Sequence, residues 1–179
     1  MLIRPAQPED AFAVARVHVG SWQVAYRGLM PDEYLDRLRP EDRAERYEFA
    51  SQDRSKPHTI VAADDATILG FATTSASRDE DLPDYGELCA LYVYPTLWGR
   101  GIGAALLNAA CARMFEMGFQ NALLWLLVGN ARGARFYEIN HWKQDGLTRT
   151  SQVWGLPVDE VRYVRRLADS SNVIERKTP

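Results

Sequence analysis

Three glycines at alternate positions separate an apolar segment from a segment with helical periodicity: Gly99, Gly101 and Gly103. Residues 87–94 are apolar with β-branched and aromatic members, which predicts a strand that ends at Pro95. After the glycines, apolar residues recur at steps of three and four as far as Met117, which predicts a helix. The first helical turn leaves backbone N–H groups without partners, and glycine lets a ligand approach them. The join therefore predicts an anion site, most naturally for a pyrophosphate, with Arg100 as one added cation.

Two common phosphate-binding motifs fit this join poorly. A Walker loop requires Lys-Ser or Lys-Thr after its last glycine, and neither pair follows here. Gly99, Gly101 and Ala104 match the looser dinucleotide fingerprint, but the next predicted strand, 121–128, ends without an acidic residue for a ribose. The join also lies past the middle of the chain, which leaves too little sequence for a full doubly wound sheet.

The join resembles motif A of the GCN5-related N-acetyltransferases (GNAT), in which Gln/Arg-x-x-Gly-x-Gly/Ala binds the pyrophosphate of acetyl-CoA. The matching stretch contains Trp98, Gly99, Arg100, Gly101, Ile102, Gly103 and Ala104. Its first position departs from the family, because Trp98 stands where the motif has Gln or Arg. Backbone amides make most contacts in this motif, so the resemblance implies that these seven residues bind the cofactor.

A second stretch resembles the family pattern Asn-x-x-Ala-x-x-Phe/Leu-Tyr-Glu-x-x-Gly-Phe. Its matching residues are Asn130, Ala134, Phe136, Tyr137 and Glu138. Ala134 comes one position later than usual, and His141-Trp142 replaces Gly-Phe after the helix. These departures concern spacing and the following turn rather than the chemistry.

The resemblance implies that pantetheine lies as an extra strand between the strands at 87–94 and 121–128. Leu91, Tyr92 and Val93 would offer backbone groups to it, and a bulge there would aim one N–H at the thioester carbonyl. Asn130 would hydrogen-bond pantetheine, cap the following helix, or do both.

Two side chains are candidates for proton transfer. Tyr137 would be the general acid, because a phenol is protonated at neutral pH and can protonate a departing thiolate; the alternative is a packed helix tyrosine. Glu87 would be the base, acting through a water on the attacking ammonium; the alternative is a solvated glutamate at a strand end. Asp84 is a weaker substitute for Glu87.

The acceptor site is suggested by Trp22 and Tyr26, which lie one turn apart on a predicted helix. They would stack on an organic amine or hold a cation, or they are core aromatics. The acidic segment 78–84 would favour a cationic acceptor, or it is a solvated hairpin end. The function expected is direct acetyl transfer in a ternary complex to a small amine or polyamine. The alternatives are a protein or peptide N-acetyltransferase and an inactive CoA-binding module.

The order of predicted elements is that of the GNAT fold, an α/β (α+β) fold. This resemblance implies a mixed, mostly antiparallel sheet of about seven strands, flanked by about four helices and splayed between strands 4 and 5. Residues 1–167 are expected to form a single domain and 168–179 a flexible tail. In this prediction one short helix covers 40–49, and the last two strands, 142–150 and 153–166, are joined near 150–152.

Composition excludes several classes of protein. The chain has 179 residues and a formal charge of −3, without a basic run, which argues against nucleic-acid binding. Cys89 and Cys111 fall within apolar patterns and are expected to be buried, reduced thiols. The histidines lack metal-ligand spacing, so no metal is expected. The chain shows neither a bilayer-spanning run nor a signal peptide, which predicts a cytoplasmic protein that does not bind membranes, as a monomer or homodimer.

Overall fold

The computed structural model describes residues 1–49 and 56–167, so the predicted tail at 168–179 lies outside the described residues. Seven strands form one sheet in the order β1-β2-β3-β4-β5-β7-β6. The strands are β1 (Leu2–Pro5), β2 (His58–Asp64), β3 (Thr67–Ala76), β4 (Gly86–Val93), β5 (Asn121–Leu127), β6 (Lys143–Val153) and β7 (Leu156–Arg166). Every neighbouring pair is antiparallel except β4 and β5, which run parallel. The predicted mixed, mostly antiparallel sheet is thus confirmed.

Within residues 1–49 and 56–167, five α-helices flank this sheet, one more than expected. They are α1 (Ala11–Ala25), α2 (Asp32–Arg37), α3 (Pro40–Ala44), α4 (Ile102–Glu116) and α5 (Ala131–Ile139). On one face Val14 and Val17 of α1 pack against Phe71 of β3. On the other face, Leu106 and Leu107 of α4 pack against the sheet. None of the described helices has the length and apolar character needed to cross a bilayer.

Helix α3 ends at Ala44, so the prediction that it continues to residue 49 was wrong. The rings of Tyr47 and Phe49 stack on each other with centroids 5.0 Å apart. Residues two apart point to different sides of a helix but to the same side of an extended chain. The two rings can therefore stack only where the chain is no longer helical, which explains why α3 ends before them.

The turn between the last two strands was also predicted wrongly. It consists of Trp154 and Gly155, whose φ angles are 53° and 85°. A two-residue type I′ turn requires positive φ at both positions. The tip therefore lies later than residues 150–152, and it carries a tryptophan instead of the more usual asparagine or glycine.

The sheet opens between β4 and β5, as predicted. Their pairing register includes only Gly86 with Ala122 and Glu87 with Leu123, whereas β5 pairs with β7 along its whole length. On its other edge β4 has a bulge, because Ala90 and Leu88 face consecutive residues of β3 and Cys89 is the extra residue. A bulge bends its strand and increases its twist, which accounts for the divergence of β4 from β5.

Candidate active site

The gap between β4 and β5 is part of a cavity of about 1530 Å³. Arg100 is exposed and lies outside the lining of this cavity. The structure brings the other predicted site residues together around it: Trp22, Tyr26, Glu87, Leu91, Tyr92, Val93, Trp98, Gly99, Gly101, Ile102, Gly103, Ala104, Asn130 and Tyr137.

The glycine loop presents open backbone at the start of α4. Gly99 and Gly101 have φ of 78° and 80°, a region that L side chains rarely adopt, and no heavy atom lies within 4 Å of an added Cβ at either position. The first helical bond of α4 runs from the Ala105 N–H to the Gly101 carbonyl at 3.0 Å. The preceding N–H groups therefore have no partner within the helix, so this end of α4 can bind an anion.

Trp98 anchors the end of β4. Its indole Nε1–H donates to the Val93 carbonyl at 2.7 Å, and the Ser21 hydroxyl donates to the same oxygen at 3.0 Å. That carbonyl has therefore used both of its lone pairs. The Arg132 guanidinium lies 3.5 Å from the centre of the Trp98 ring. A cation is therefore present beside Trp98, the position at which the family motif has Gln or Arg. Sequence analysis missed Arg132, because only the fold brings α5 against the glycine loop.

Asn130 caps α5. Its side-chain oxygen accepts a hydrogen bond from the Gly133 N–H at 2.9 Å. An asparagine amide also has two N–H donors, which this cap does not use. Capping and hydrogen bonding to a ligand are therefore compatible here.

Tyr137 is 8% exposed, and its ring packs beside Phe136, Trp142 and Tyr163. Among the hydrogen bonds between described side chains, none includes its hydroxyl. Burial raises the pKa of Tyr137 well above that of an ordinary phenol, with a smaller contribution from Tyr92. Tyr137 consequently remains protonated and can act as a hydrogen-bond or proton donor.

Glu87 is 3% exposed, unlike a solvated glutamate at a strand end. One carboxylate oxygen accepts from Nη2 of Arg78 at 2.5 Å. The other accepts from Nε and from the backbone N–H of Arg78 at 3.1 and 3.2 Å. A carboxylate has about four lone-pair sites, so one remains for a water or a substrate.

Cys89 is exposed to the cavity, so the prediction that both cysteines are buried was right only for Cys111. The bulge interrupts the strand alternation and turns the Cys89 thiol toward the cleft, 3.2 Å from the Ser75 hydroxyl. Desolvation by the cleft walls, followed by the charge of Glu87, raises the pKa of Cys89 to about 11. It is therefore a neutral thiol near pH 7.

Trp22 and Tyr26 form a packed wall of the cavity. The ring of Trp22 stacks on Trp154 with centroids 3.9 Å apart and an interplanar angle of 14°. The hydroxyl of Tyr26 is hydrogen-bonded to that of Tyr92 at 3.1 Å. One face of Trp22 is thus covered by Trp154, so it offers less surface to a ligand than the sequence suggested.

The acidic segment at 78–84 folds against buried Arg162. Asp81 accepts from both Nη atoms of Arg162 at 2.8 and 2.7 Å. Asp79 accepts from Arg162 at 3.0 Å and from the Trp125 indole at 3.0 Å. These two carboxylates are therefore paired with Arg162, and neither of them lines the cavity.

Sequence analysis also missed His18, Arg43 and Tyr47, which line the cavity. Burial, and then the nearby Arg43 charge, hold the pKa of His18 well below its usual value. Nδ1 of the neutral ring is hydrogen-bonded to the Tyr47 hydroxyl at 2.6 Å. Their positions depend on packing between distant segments, so periodicity gave no signal for them.

Acidification is expected to destabilise the protein through His18. The pKa of His18 is lower in the folded protein than in the unfolded chain, so below about pH 6.5 the unfolded chain binds more protons than the folded protein. The free energy of unfolding therefore falls as the pH falls, by at most about 1.4 kcal/mol per pH unit. His18→Gln should therefore flatten the decrease in urea unfolding free energy between pH 7 and pH 5. His58→Gln is the comparison, because the pKa of His58 is also lowered but its ring is less buried, so this substitution should flatten the decrease less. An unchanged slope in His18→Gln would contradict this assignment.

Comparison with known proteins identifies the family. The model of the acetyltransferase (GNAT) family matches residues 22–141. YuaI, an uncharacterized N-acetyltransferase of Bacillus subtilis, is 31% identical over 129 residues, which are 72% of this chain and 72% of that protein. The PaiA N-acetyltransferase of Thermoplasma acidophilum, in complex with coenzyme A, has a TM-score of 0.67 at 23% identity and covers 92% of this chain and 98% of its own. Salmonella typhimurium yncA, with its cofactor acetyl-CoA, has a TM-score of 0.69 at 17% identity over 94% of each chain. The chain therefore belongs to the acetyltransferase (GNAT) family.

Proposed function

We propose that this acetyltransferase moves an acetyl group from acetyl-CoA to a small primary amine by direct attack in a ternary complex, and that residues 1–167 are one catalytic domain. The observation that carries the proposal is the gap between β4 and β5, which begins after Glu87 and shares one cavity with the open amides of the glycine loop. The coenzyme A and acetyl-CoA bound by the Thermoplasma and Salmonella proteins support it.

The donor would occupy the gap as an added strand. The backbone of β4 at Leu91 and Tyr92 has no strand partner on the β5 side, so it has hydrogen-bonding groups to offer pantetheine. The bulge at Cys89 supports a free N–H near the thioester carbonyl. The pyrophosphate would bind the first amides of α4, with the Arg132 charge nearby.

In the transfer, the amine nitrogen attacks the thioester carbonyl carbon, the C–N bond forms and the C–S bond breaks. A water held by Glu87 would take one proton from the ammonium and so form the attacking amine. As the C–S bond breaks, Tyr137 would give its proton to the thiolate, and the second proton that the nitrogen loses would restore the Tyr137 phenol. Burial keeps the phenol protonated until that moment, and the same apolar site raises the proton affinity of the thiolate.

A covalent acetyl-cysteine route has less support. It would require the thiolate of Cys89, the exposed thiol in the cavity, because thiolates rather than thiols are the nucleophiles. The pKa of about 11 keeps Cys89 protonated near neutral pH. Direct attack by the amine needs no such group.

Glu87→Gln is expected to lower kcat/KM for the amine by about 10- to 100-fold, because Gln cannot take up a proton through the bound water. The affinity for CoA, measured by calorimetry, should stay the same. Asp84→Asn is the matched control, because Asp84 is an exposed carboxylate in the preceding loop. A normal kcat/KM in Glu87→Gln together with a lowered kcat/KM in Asp84→Asn would indicate that Asp84, and not Glu87, is the base.

The function itself is tested by incubating the protein with acetyl-CoA and mixed cell metabolites and peptides. Released thiol measures turnover, and mass spectrometry identifies the acetylated products. We expect acetylated small amines. Acetylated peptides alone would favour a peptide acceptor, and failure to bind CoA in a titration would contradict the proposal as a whole.

A further inference from the structure

The part of the cavity bounded by α1, by the segment after α3 and by the β6–β7 hairpin has more basic than acidic side chains. The basic ones are Arg43, Arg46, Lys56, Arg78 and Arg149. The acidic ones are Glu48, Glu87 and Glu160. Basic charge in a cleft attracts anionic ligands.

Each of these three carboxylates is already paired with a lining cation. Glu48 lies 3.1 Å from Lys56, and Glu160 lies 2.9 Å from Arg149. Glu87 is held by Arg78, as described above. Arg149 also lies 3.3 Å from Asp79. Paired carboxylates offer little to a second cation, so among the described residues that line this part of the cavity the positive charge without a salt bridge belongs to Arg43 and Arg46.

Arg43 is the better placed of the two, because it is half-buried between aromatic rings while Arg46 is exposed. Its guanidinium carbon lies 4.4 Å from the centre of the Trp154 ring and 5.0 Å from that of Tyr47. Its Nε lies 3.4 Å from the Tyr47 hydroxyl. No salt bridge within residues 1–49 and 56–167 includes Arg43. Two rings fix the plane of the guanidinium while both Nη atoms remain donors, an arrangement that suits two-point binding of a carboxylate.

Ring contacts connect Arg43 to the centre of the cavity. Trp154 lies 4.6 Å from His18, and His18 lies 4.6 Å from Tyr92, between ring centres. Tyr92 and the proposed general acid Tyr137 line the same cavity as Arg43. A ligand in this cavity can therefore face the Arg43 cation as well as the proposed general acid.

We propose that the acceptor is a small primary amine that also carries an anionic group, of which a carboxylate is the simplest, and that Arg43 binds this group. The proposal rests on the acetyltransferase function proposed above and narrows its acceptor. It replaces the expectation of a polyamine, since the acids of the segment 78–84 lie outside the cavity lining and the carboxylates that do line the cavity are paired with lining cations.

The test compares matched acceptors at saturating acetyl-CoA: amino acids with a free carboxylate, the same amino acids as primary amides, and spermidine. The wild-type protein should show a kcat/KM at least about 10-fold higher for the best carboxylate than for its amide. Arg43→Gln should remove this preference, chiefly by raising KM for the carboxylate, and Arg43→Lys should restore part of it. Arg39→Gln is the matched control, because Arg39 is exposed at the start of α3 and lies outside the cavity lining.

The same variants are then incubated with the metabolite mixture, so that the result does not depend on the chosen amino acids. Acetylated products that carry an anionic group and disappear in Arg43→Gln would support the proposal. Products that are neutral or cationic, formed equally by Arg43→Gln, would overturn it and leave the acetyltransferase function intact. A protein that binds CoA and acetylates nothing would instead contradict the function itself, and this inference with it.

Discussion

Tyr137→Phe is expected to lower kcat by about 100-fold or more, the range that a positioned general acid contributes. The substitution removes one hydroxyl and keeps the ring that packs beside Trp142 and Tyr163. Because that hydroxyl takes part in none of the hydrogen bonds between described side chains, the fold should lose little stability. Single-turnover measurements with rapid mixing would isolate the chemical step from product release.

The affinity of Tyr137→Phe for CoA should stay close to that of the wild type, since the hydroxyl acts on the sulfur only as the bond breaks. Tyr163→Phe is the matched control, because Tyr163 is a fully buried phenol hydrogen-bonded to Gln144 at 2.7 Å and is not part of the cavity lining. An unchanged kcat in Tyr137→Phe would mean that solvent or another group protonates the thiolate.

Gly101→Asp is expected to abolish measurable CoA binding. It would place a carboxylate at the N-terminus of α4, where the open amides would otherwise bind the pyrophosphate. An acidic N-cap favours a helix, but the positive φ of this position strains an L residue by about 1–2 kcal/mol, so we expect a small loss of stability beside the loss of affinity. Calorimetric titration with CoA, together with a melting curve, measures both quantities.

Gly101→Asn is the matched control for this charge. Asparagine has nearly the shape of aspartate and is among the residues that best tolerate the positive φ of this position. We expect it to weaken CoA binding far less than Gly101→Asp. Equal losses of CoA affinity in the two variants would indicate that backbone conformation, and not charge, limits binding. Normal CoA affinity in Gly101→Asp would mean that the pyrophosphate binds elsewhere.

The parts of the fold and site that were predictable are those encoded by neighbouring residues. The strand before Pro95, the positive-φ glycines and the cap at Asn130 each depend on a few consecutive residues. The resemblance to the GNAT family then supplied the order of strands and the gap between β4 and β5. The candidate cofactor groove could therefore be assigned before the structure was known.

The acceptor side could not be predicted, because it depends on contacts between distant segments. The position of Arg43 depends on Trp154, which the sequence pattern had assigned to the start of the last strand. The burial of Glu87 could not be predicted, because no periodicity indicates that Arg78 folds back onto it. The acidic segment suggested a cationic ligand because nothing local shows that Arg162 pairs with Asp79 and Asp81.

The two-residue tip of the β6–β7 hairpin has a consequence for how this enzyme can diverge. Trp154 stacks on Trp22 and lies beneath Arg43, so a single turn residue sets one boundary of the acceptor chamber. Hairpin tips tolerate substitution and insertion better than buried strands do. Relatives of this chain could therefore acquire new acceptors by exchanging that tip, while the glycine loop proposed to bind acetyl-CoA, at the start of α4, is inherited unchanged.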